Sequence, residues 1–570
     1  ESLAYPDGEE FCMKEEIHIF ALGGLDEDGK NLVCVKIQND IFVVMAGAGS
    51  PDKSRPGIDY IVPRDDYLVE HKDQIRAYLL LHGHDDQIGA MPFIYDKAPA
   101  PVYGSATTLK MLKIFTKHVG KEKEIDYDFH MVEPTSEFKI AGRTIHYFHT
   151  SHNIVDSSGC AIETEYGNIV FTGDFVIENG ADPAYLNDMN AIAKIAEKPT
   201  LALLPESTYA TKKGYTAPLY KLTPHIEEIF KNAQGRIFIS LASRDLYNLD
   251  EVVRLCKAYR RKLIGYDDAS DITIEELETC TNSVIPPTNR GRLDDILRLR
   301  DNDQVILMTG FGGRLFRKIA LLAAGQNEER RLRLKPSDTF IMANPSNDKT
   351  EIEYTDAADE VYRTGCDVLI IPRKEFLKMH ASEEDLKMMA SILKPRYYIP
   401  ISGLYQDMLA NAMLALSMGI GLTHNNVFVM ENGLSLIIDE KGARLFDEGI
   451  VHGDIMIDGA GVGDVSNEVI ADRERLGEGV VLIGATISRR LGEIIAGPDI
   501  QMRGLVYGKD ADMIVRDVGK TFDLVMGQFL LSPNYNLEEI RQNLYEACCR
   551  AIKRTTGKEP MVLPLIVEVD

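Results

Sequence analysis

The sequence predicts an α/β protein of several domains, and three observations carry that expectation. Residues 17–46 hold short apolar, β-branched runs broken by glycine turns, Ile17–Leu22, Leu32–Ile37 and Ile41–Ala46, which read as a β-meander. From about 209 to 372 the pattern changes to strand alternating with helix, as in a parallel sheet whose strands are covered on both faces. A chain of 570 residues exceeds what one hydrophobic core holds, which predicts three or four domains.

The stretch that organises the chain follows the meander. The apolar run Ala77–Leu81 reads as a buried strand, and it stops at His82-Gly83-His84-Asp85-Asp86-Gln87. In extended chain, residues two apart share a face, so His82, His84 and Asp86 are expected to point together toward one ion, with Gly83 leaving room for the bend. Histidine is scarce, 13 in 570, which makes the spacing informative. The competing reading is a polar turn with hydrogen-bonded histidines. A divalent ion takes three or four protein ligands, so partners are needed from elsewhere. Two strand-like runs supply candidates at their ends, Ile145–His152 and Asn168–Asp174.

Further on, Leu203-Leu204-Pro205-Glu206 leads into the alternating region, with strand-like Arg236–Leu241, a helix over 249–261 and strand-like Gln304–Met308. Basic residues cluster there: Arg254, Lys257, Arg260, Arg261 and Lys262, then Arg314, Arg317 and Lys318, then Arg330, Arg331, Arg333 and Lys335. They offer a local basic channel or, read more simply, solvated helix faces. A helix over 383–393, a strand over 396–401 and a helix over 407–418 come next. After a glycine-rich stretch to Gly463 lies a small α/β unit, whose clearest helix starts at Asn536 with Glu539 three residues on, a capping-box pattern. Leu537, Ile540, Leu544, Cys548 and Ile552 form its apolar face, and Gly557 ends it.

Hydrophobic content of 45% and charged content of 26% suit a globular protein. No apolar run reaches membrane-spanning length and no basic-then-apolar leader opens the chain. The eight cysteines, at 12, 34, 160, 256, 280, 366, 548 and 549, include no Cys-x-x-Cys pair and read as free thiols. The expected location is the cytoplasm, with no membrane partner. A formal net charge of -25 excludes generic whole-surface binding of nucleic acid, but not a local basic channel.

His82-x-His84-x-Asp86, then His152, then Thr172-Gly173-Asp174 resemble the successive metal motifs of the metallo-β-lactamase fold. The flanking strings Leu22-Gly23-Gly24, Gly29-Lys30-Asn31, Pro101-Val102-Tyr103-Gly104 and Pro560–Val569 resemble bacterial ribonuclease J over nearly the whole chain, most closely its degenerate second paralogue. The resemblance implies an αββα sandwich over 1–208 and 373–450, a β-CASP insert over 209–372 that clamps RNA, and a linker with a dimerisation domain over 451–570. It implies an enzyme of mRNA decay and rRNA maturation, a 5′-to-3′ exoribonuclease with a possible endonuclease activity, acting on single-stranded RNA with a 5′-monophosphate. The alternative it leaves open is a catalytically inactive RNA-binding subunit. The chain is expected to form homodimers or to pair with an active paralogue.

By the same resemblance, His82, His84, His152 and Asp174 hold a first ion, zinc or manganese, and Asp86 belongs to a second. The family's histidines are replaced at Gln87 and Ser402, and an aspartate by Met45, so one ion is expected rather than two and turnover is expected to be weak. Catalytic roles fall to Asp86 and His380. RNA contacts fall to Glu206, Ser243, Arg244, Phe376, Lys378 and His380, with Phe376-Leu377-Lys378-Met379-His380 standing for a His-x-Ser-Gly-His-like string. At Thr309–Arg314 a glycine-rich run replaces a polar one and is only a weak phosphate signal.

Overall fold

The computed structural model describes residues 15–569 except 52–54, 56, 122–124, 179, 181–182, 282, 311, 347–349, 459–466, 506–510 and 531–534. Cys12, Phe311 and Gly463 lie outside the described residues. The chain forms two compact units, 1–52 with 59–462 and 53–58 with 463–570.

The first unit is built on two sheets. One runs Gly442–Asp447, Leu434–Asp439, Ile17–Gly23, Leu32–Ile37, Asp40–Val44, Ile75–Leu79, Val102–Gly104 and Phe129–Met131. The other runs Tyr397–Tyr398, Thr200–Leu204, Gly167–Phe171, Ser158–Thr164, Arg143–His149 and Ser136–Ile140. Strand alternation divides their side chains between layers. Ile17, Ile19, Phe42, Val44, Ala77 and Leu79 meet Ile145, Tyr147, Cys160, Ile162 and Phe171 between the sheets. On the outer face of the first sheet, Phe20, Ile41, Val43 and Tyr78 pack with Met111, Leu112 and Phe115 of the helix Ala106–His118. Outside the second, Phe148, Ala161, Val170 and Leu203 pack with Leu386, Met389 and Leu414 of the helices Glu383–Leu393 and Tyr405–Ser417. Each Val, Leu, Ile, Phe or Met among them contributes about 1.5–3 kcal/mol, and together these layers make the αββα sandwich that the resemblance implies.

Residues 237–370 carry a separate sheet in the order Lys262–Gly265, Gln304–Gly310, Ile237–Ala242, Thr339–Met342 and Asp367–Ile370, all pairs parallel. In the second unit, Val480–Ser488 lies between Glu493–Arg503 and Met561–Val569. Its helix Leu537–Thr556 buries Ile540, Leu544, Cys548 and Ile552 and ends at Gly557 with φ 73°. The Asn536 side chain caps the Glu538 amide at 3.0 Å, so the N-cap is where the pattern put it. The described cysteines are free thiols. No helix among the described residues is long and apolar enough to cross a membrane.

What the fold does for the central stretch is set by backbone contacts. The strand Ile75–Leu79 is paired on both edges in parallel, and residues 85–87 are then clasped by the turn after Val44. Ala48 N–H donates to the Asp85 carbonyl at 2.8 Å, Ala46 N–H to that of Gln87 at 2.7 Å, and Asn31 N–H to that of Asp86 at 3.2 Å. A Cβ on Gly47 would lie 1.6 Å from the Asp86 carbonyl oxygen, so no side chain fits under the loop. Gly47→Ala is therefore expected to destabilise the protein by about 1–3 kcal/mol through forced backbone movement. Denaturant unfolding checks this, and wild-type stability in that variant would mean that the clasp is loose.

Candidate metal centre

His82 follows the buried strand, and His84 is the extended N-cap of a single helical turn, Asp85–Ile88. The rings of His82 and His84 meet edge to face with centroids 4.8 Å apart, and both lie 4.8–4.9 Å from that of His152. Asp174, just beyond Gly167–Phe171, completes the group: its Oδ2 is 3.5 Å from His82 Nε2 and 3.7 Å from His152 Nε2. Ligand atoms of His82, His84, His152 and Asp174 all lie within 4.8 Å of one another. Tetrahedral ligands on a zinc-like ion at ~2.0–2.1 Å stand roughly 3.3 Å apart, which is the scale of these separations.

Hydrogen bonding selects the tautomers. His84 Nε2 faces the Arg244 carbonyl at 3.3 Å and His152 Nδ1 faces the Met379 carbonyl at 2.6 Å. A carbonyl only accepts, so both nitrogens carry the proton and leave lone pairs on His84 Nδ1 and His152 Nε2. Those two atoms are 3.1 Å apart. Neither nitrogen of the buried His82 has a hydrogen-bond partner among the described residues. Burial, reinforced by the other histidines, holds His82 and His152 well below the usual histidine range. Burial likewise takes His84 down to about 3, opposed by the hydrogen bond to Arg244 and reinforced by the Arg244, His380 and Lys378 charges. Burial, with the charge of Glu206, pushes Asp174 well above the usual carboxylate range. Three neutral imidazoles and one carboxylate, with converging lone pairs and an unpartnered ring, fit a divalent cation.

Asp86 departs from the expected alternation. It lies in the helical turn Asp85–Ile88, where a period of two does not hold, and it belongs to neither group of residues that could jointly hold an ion. Its Oδ2 accepts from Asn31 Nδ2 at 3.1 Å and from Gln87 Nε2 at 3.4 Å. Burial raises it to about 6, with His380 opposing and Asp28 adding. Met45, Leu81, Phe171, Ile401 and Ser402 line, with Asp174 and Glu206, a pocket too narrow for a water-sized group. Gln87 is fully buried, and its Oε1 has no hydrogen-bond partner among the described residues.

A second cluster joins Asp174, Glu206 and His380. Glu206 Oε2 accepts from His380 Nδ1 at 2.7 Å, while its Oε1 accepts from the Phe175 and Ala381 amides at 2.8 and 3.0 Å. Burial opposes a charge on His380, but the charge and hydrogen bond of Glu206, aided by Asp174, outweigh it and raise the imidazole to about 9. The Tyr209 ring packs edge-on against His380 at 5.7 Å, a neighbour that no sequence pattern marked.

Several residues expected to contact RNA are buried or half-buried in the fold. Glu206 is 2% exposed, and both its oxygens serve as described above. Phe376 is 2% exposed because an aromatic ring in that place packs into the core with Leu222 and Ile226. Arg244 is buried and bound to Asp85 and Glu276. Ser243 is half-buried, its amide bonded to the Gly310 carbonyl at 3.1 Å. Lys378 is half-buried, and its charge reaches both His84 and His380. In the basic clusters, Arg261 is buried and donates to the Phe230, Ala233 and Asn302 carbonyls. Arg254, Lys318, Arg331 and Lys335 pair with Asp250, Asp267, Glu329 and Asp301. These cations have local work, so the clusters read from sequence overstate the positive surface.

Comparison with known proteins completes the description. The family model of the metallo-beta-lactamase superfamily matches residues 56–210, and that of the ribonuclease J C-terminal domain matches residues 468–569. Ribonuclease J 2 of Streptococcus pyogenes serotype M3 is 30% identical over 557 residues, spanning 97% of this chain and 100% of that protein. Ribonuclease J 2 proteins of Staphylococcus epidermidis and Staphylococcus aureus are each 28% identical over 556 residues, spanning 97% of this chain and 99% of theirs.

The proton on His380 gives a pH test. Its affinity rises on folding, so its stabilisation is whole below an unfolded value near 6.5 and is lost as pH rises through about 9. Between pH 6 and 9.5 the metal-free wild type is expected to lose on the order of 1–3 kcal/mol more stability than His380→Gln. Denaturant titrations at both pH values measure the difference, and equal slopes would place the proton elsewhere.

Proposed function

The chain belongs to the ribonuclease J family, and from that premise we propose that it is a metal-dependent 5′-to-3′ exoribonuclease of low intrinsic activity, built around one ion. The observation that carries this reading is the 3.1 Å approach of two histidine lone pairs beside Asp174 in a buried pocket. His82, His84, His152 and Asp174 would hold the ion, zinc or manganese. When bound, such an ion polarises a phosphate oxygen and makes water a stronger nucleophile.

The remaining residues supply positions and protons. His380 holds its proton at neutral pH and carries it beside Asp174, where it stabilises charge on the phosphate or delivers the proton to the leaving oxygen. Asp86, lifted to about 6 and anchored by Asn31, is suited to take a proton from water. Lys378 meets phosphate as a point charge. RNA is held through backbone and 5′ end rather than bases, in keeping with roles in mRNA decay and rRNA maturation. The narrow pocket between Met45 and Ser402, and the amide at Gln87, favour a single ion and slow turnover.

The same observation favours a second reading, an RNA-holding subunit that pairs with an active ribonuclease J and contributes little cleavage itself. The two differ in turnover. Native mass spectrometry of the purified protein is expected to find one ion per chain. Single-stranded 5′-monophosphorylated RNA with added Mn²⁺ is expected to shorten slowly from its 5′ end, with no shortening by the Asp174→Ala variant. One ion with no decay would overturn the enzyme reading and leave the subunit, and no ion would overturn the metal centre itself.

A further inference from the structure

The ligand His84 depends on a residue from the inserted sheet. Arg244 lies just past the strand Ile237–Ala242 with φ 60°, a left-handed backbone that an arginine adopts only where its surroundings impose it. What imposes it is visible. Arg244 Nε donates to Glu276 Oε1 at 2.9 Å, in the insert helix Asp268–Cys280. The same guanidinium donates through one terminal nitrogen to Asp85 Oδ1 at 2.5 Å and to the Gly83 carbonyl at 3.0 Å. It also sits 5.2 Å from the centroid of the Phe115 ring. Gly83 and Asp85 flank His84, so one buried side chain grips both neighbours of the ligand.

The turned backbone then aims the Arg244 carbonyl at His84 Nε2, the contact that puts the lone pair on Nδ1. Three residues on, Tyr247 N–H donates to the Asn153 carbonyl at 3.0 Å, beside the ligand His152. Two of the three histidines are thus buttressed from the insert.

We propose that Arg244 is a positioning residue that couples the seating of the inserted sheet to the geometry and ion affinity of the metal centre. This rests on the metal reading above. An insert seated correctly presents an acceptor to His84 and holds its loop. An insert displaced, for instance while RNA enters, withdraws both. Groups that orient a ligand in this way commonly set its metal affinity within a factor of 10–100.

Cobalt(II) titration of the metal-free full-length protein tests this, read as dissociation constant and as visible absorption of the bound ion. Arg244→Gly tolerates the left-handed backbone and removes the whole side chain with its guanidinium, and Arg244→Lys restores a charged side chain without the fork. Arg244→Gly is expected to bind cobalt about 10–100-fold more weakly with an altered spectrum. Arg244→Lys is expected to recover part of the affinity. Glu276→Gln, the milder change should Arg244→Gly fail to fold, is expected to shift affinity and spectrum in the same direction by less. Asp338→Asn serves as control, since it breaks a comparably buried pair with Arg236 at the other end of the same strand. It is expected to lower stability while leaving cobalt binding at the wild-type value. Wild-type affinity and spectrum in Arg244→Gly, or in Glu276→Gln if that alone folds, would overturn the proposal. Equal loss in the Asp338→Asn control would reduce the effect to general destabilisation and overturn it too. Absence of cobalt binding by the wild type would instead overturn the metal reading on which it rests.

Discussion

The constraint from which the site follows is electrostatic: two lone pairs, on His84 Nδ1 and His152 Nε2, face each other at 3.1 Å beside Asp174. Protonating either imidazole would relieve the repulsion, but burial holds both neutral. The backbone carbonyls of Arg244 and Met379 keep both rings from presenting the other nitrogen. A cation between them, beside Asp174, resolves the conflict, and the remaining architecture can be understood as holding the rings in place until one arrives. The sandwich delivers His82 and Asp174 from its strand ends, while the insert and residue 379 lock the two rings whose tautomers matter.

Much of this was legible in the sequence because it depends on local pattern. Alternating apolar strands feeding into His82-Gly83-His84 and Gly173-Asp174 follow from the period of two and from the rule that strand ends carry function. Asn536, Gly557 and the apolar face between them were readable because helix signals act within a few residues. Asp86 falls outside the histidine cluster for a reason of the same kind: the period of two does not run through a segment that turns helical at Asp85. Nothing in the spacing gives away a single helical turn.

The rest was out of reach because its partners are far apart in the chain. Arg244 looked like an RNA contact, and only the fold shows that Asp85, 159 residues away, and Glu276 neutralise it. Glu206 was expected to meet RNA, and in the fold it is a buried strut shared by His380 and two backbone amides. Charge that reads as available in a sequence is often already paired, and the basic clusters around Arg261 and Arg331 make the same point. The Met379 carbonyl carries no sequence signal at all, since any residue there supplies one.

The surroundings of Asp174 are not uniform. Met45 and Ser402 line a narrow pocket with Asp174 and Glu206 among the apolar side chains of Leu81, Phe171 and Ile401, and Gln87 is buried with its Oε1 unpartnered among the described residues. The histidine side retains each ligand and each anchor. A buried imidazole without a hydrogen-bond partner among the described residues, as His82 is, is costly unless an ion meets it. That cost argues for a cation on the histidine side, in keeping with the single ion proposed above. If one ion is held there, the link from Arg244 to Gly83, Asp85 and the His84 ring is what keeps that ligand aimed at it.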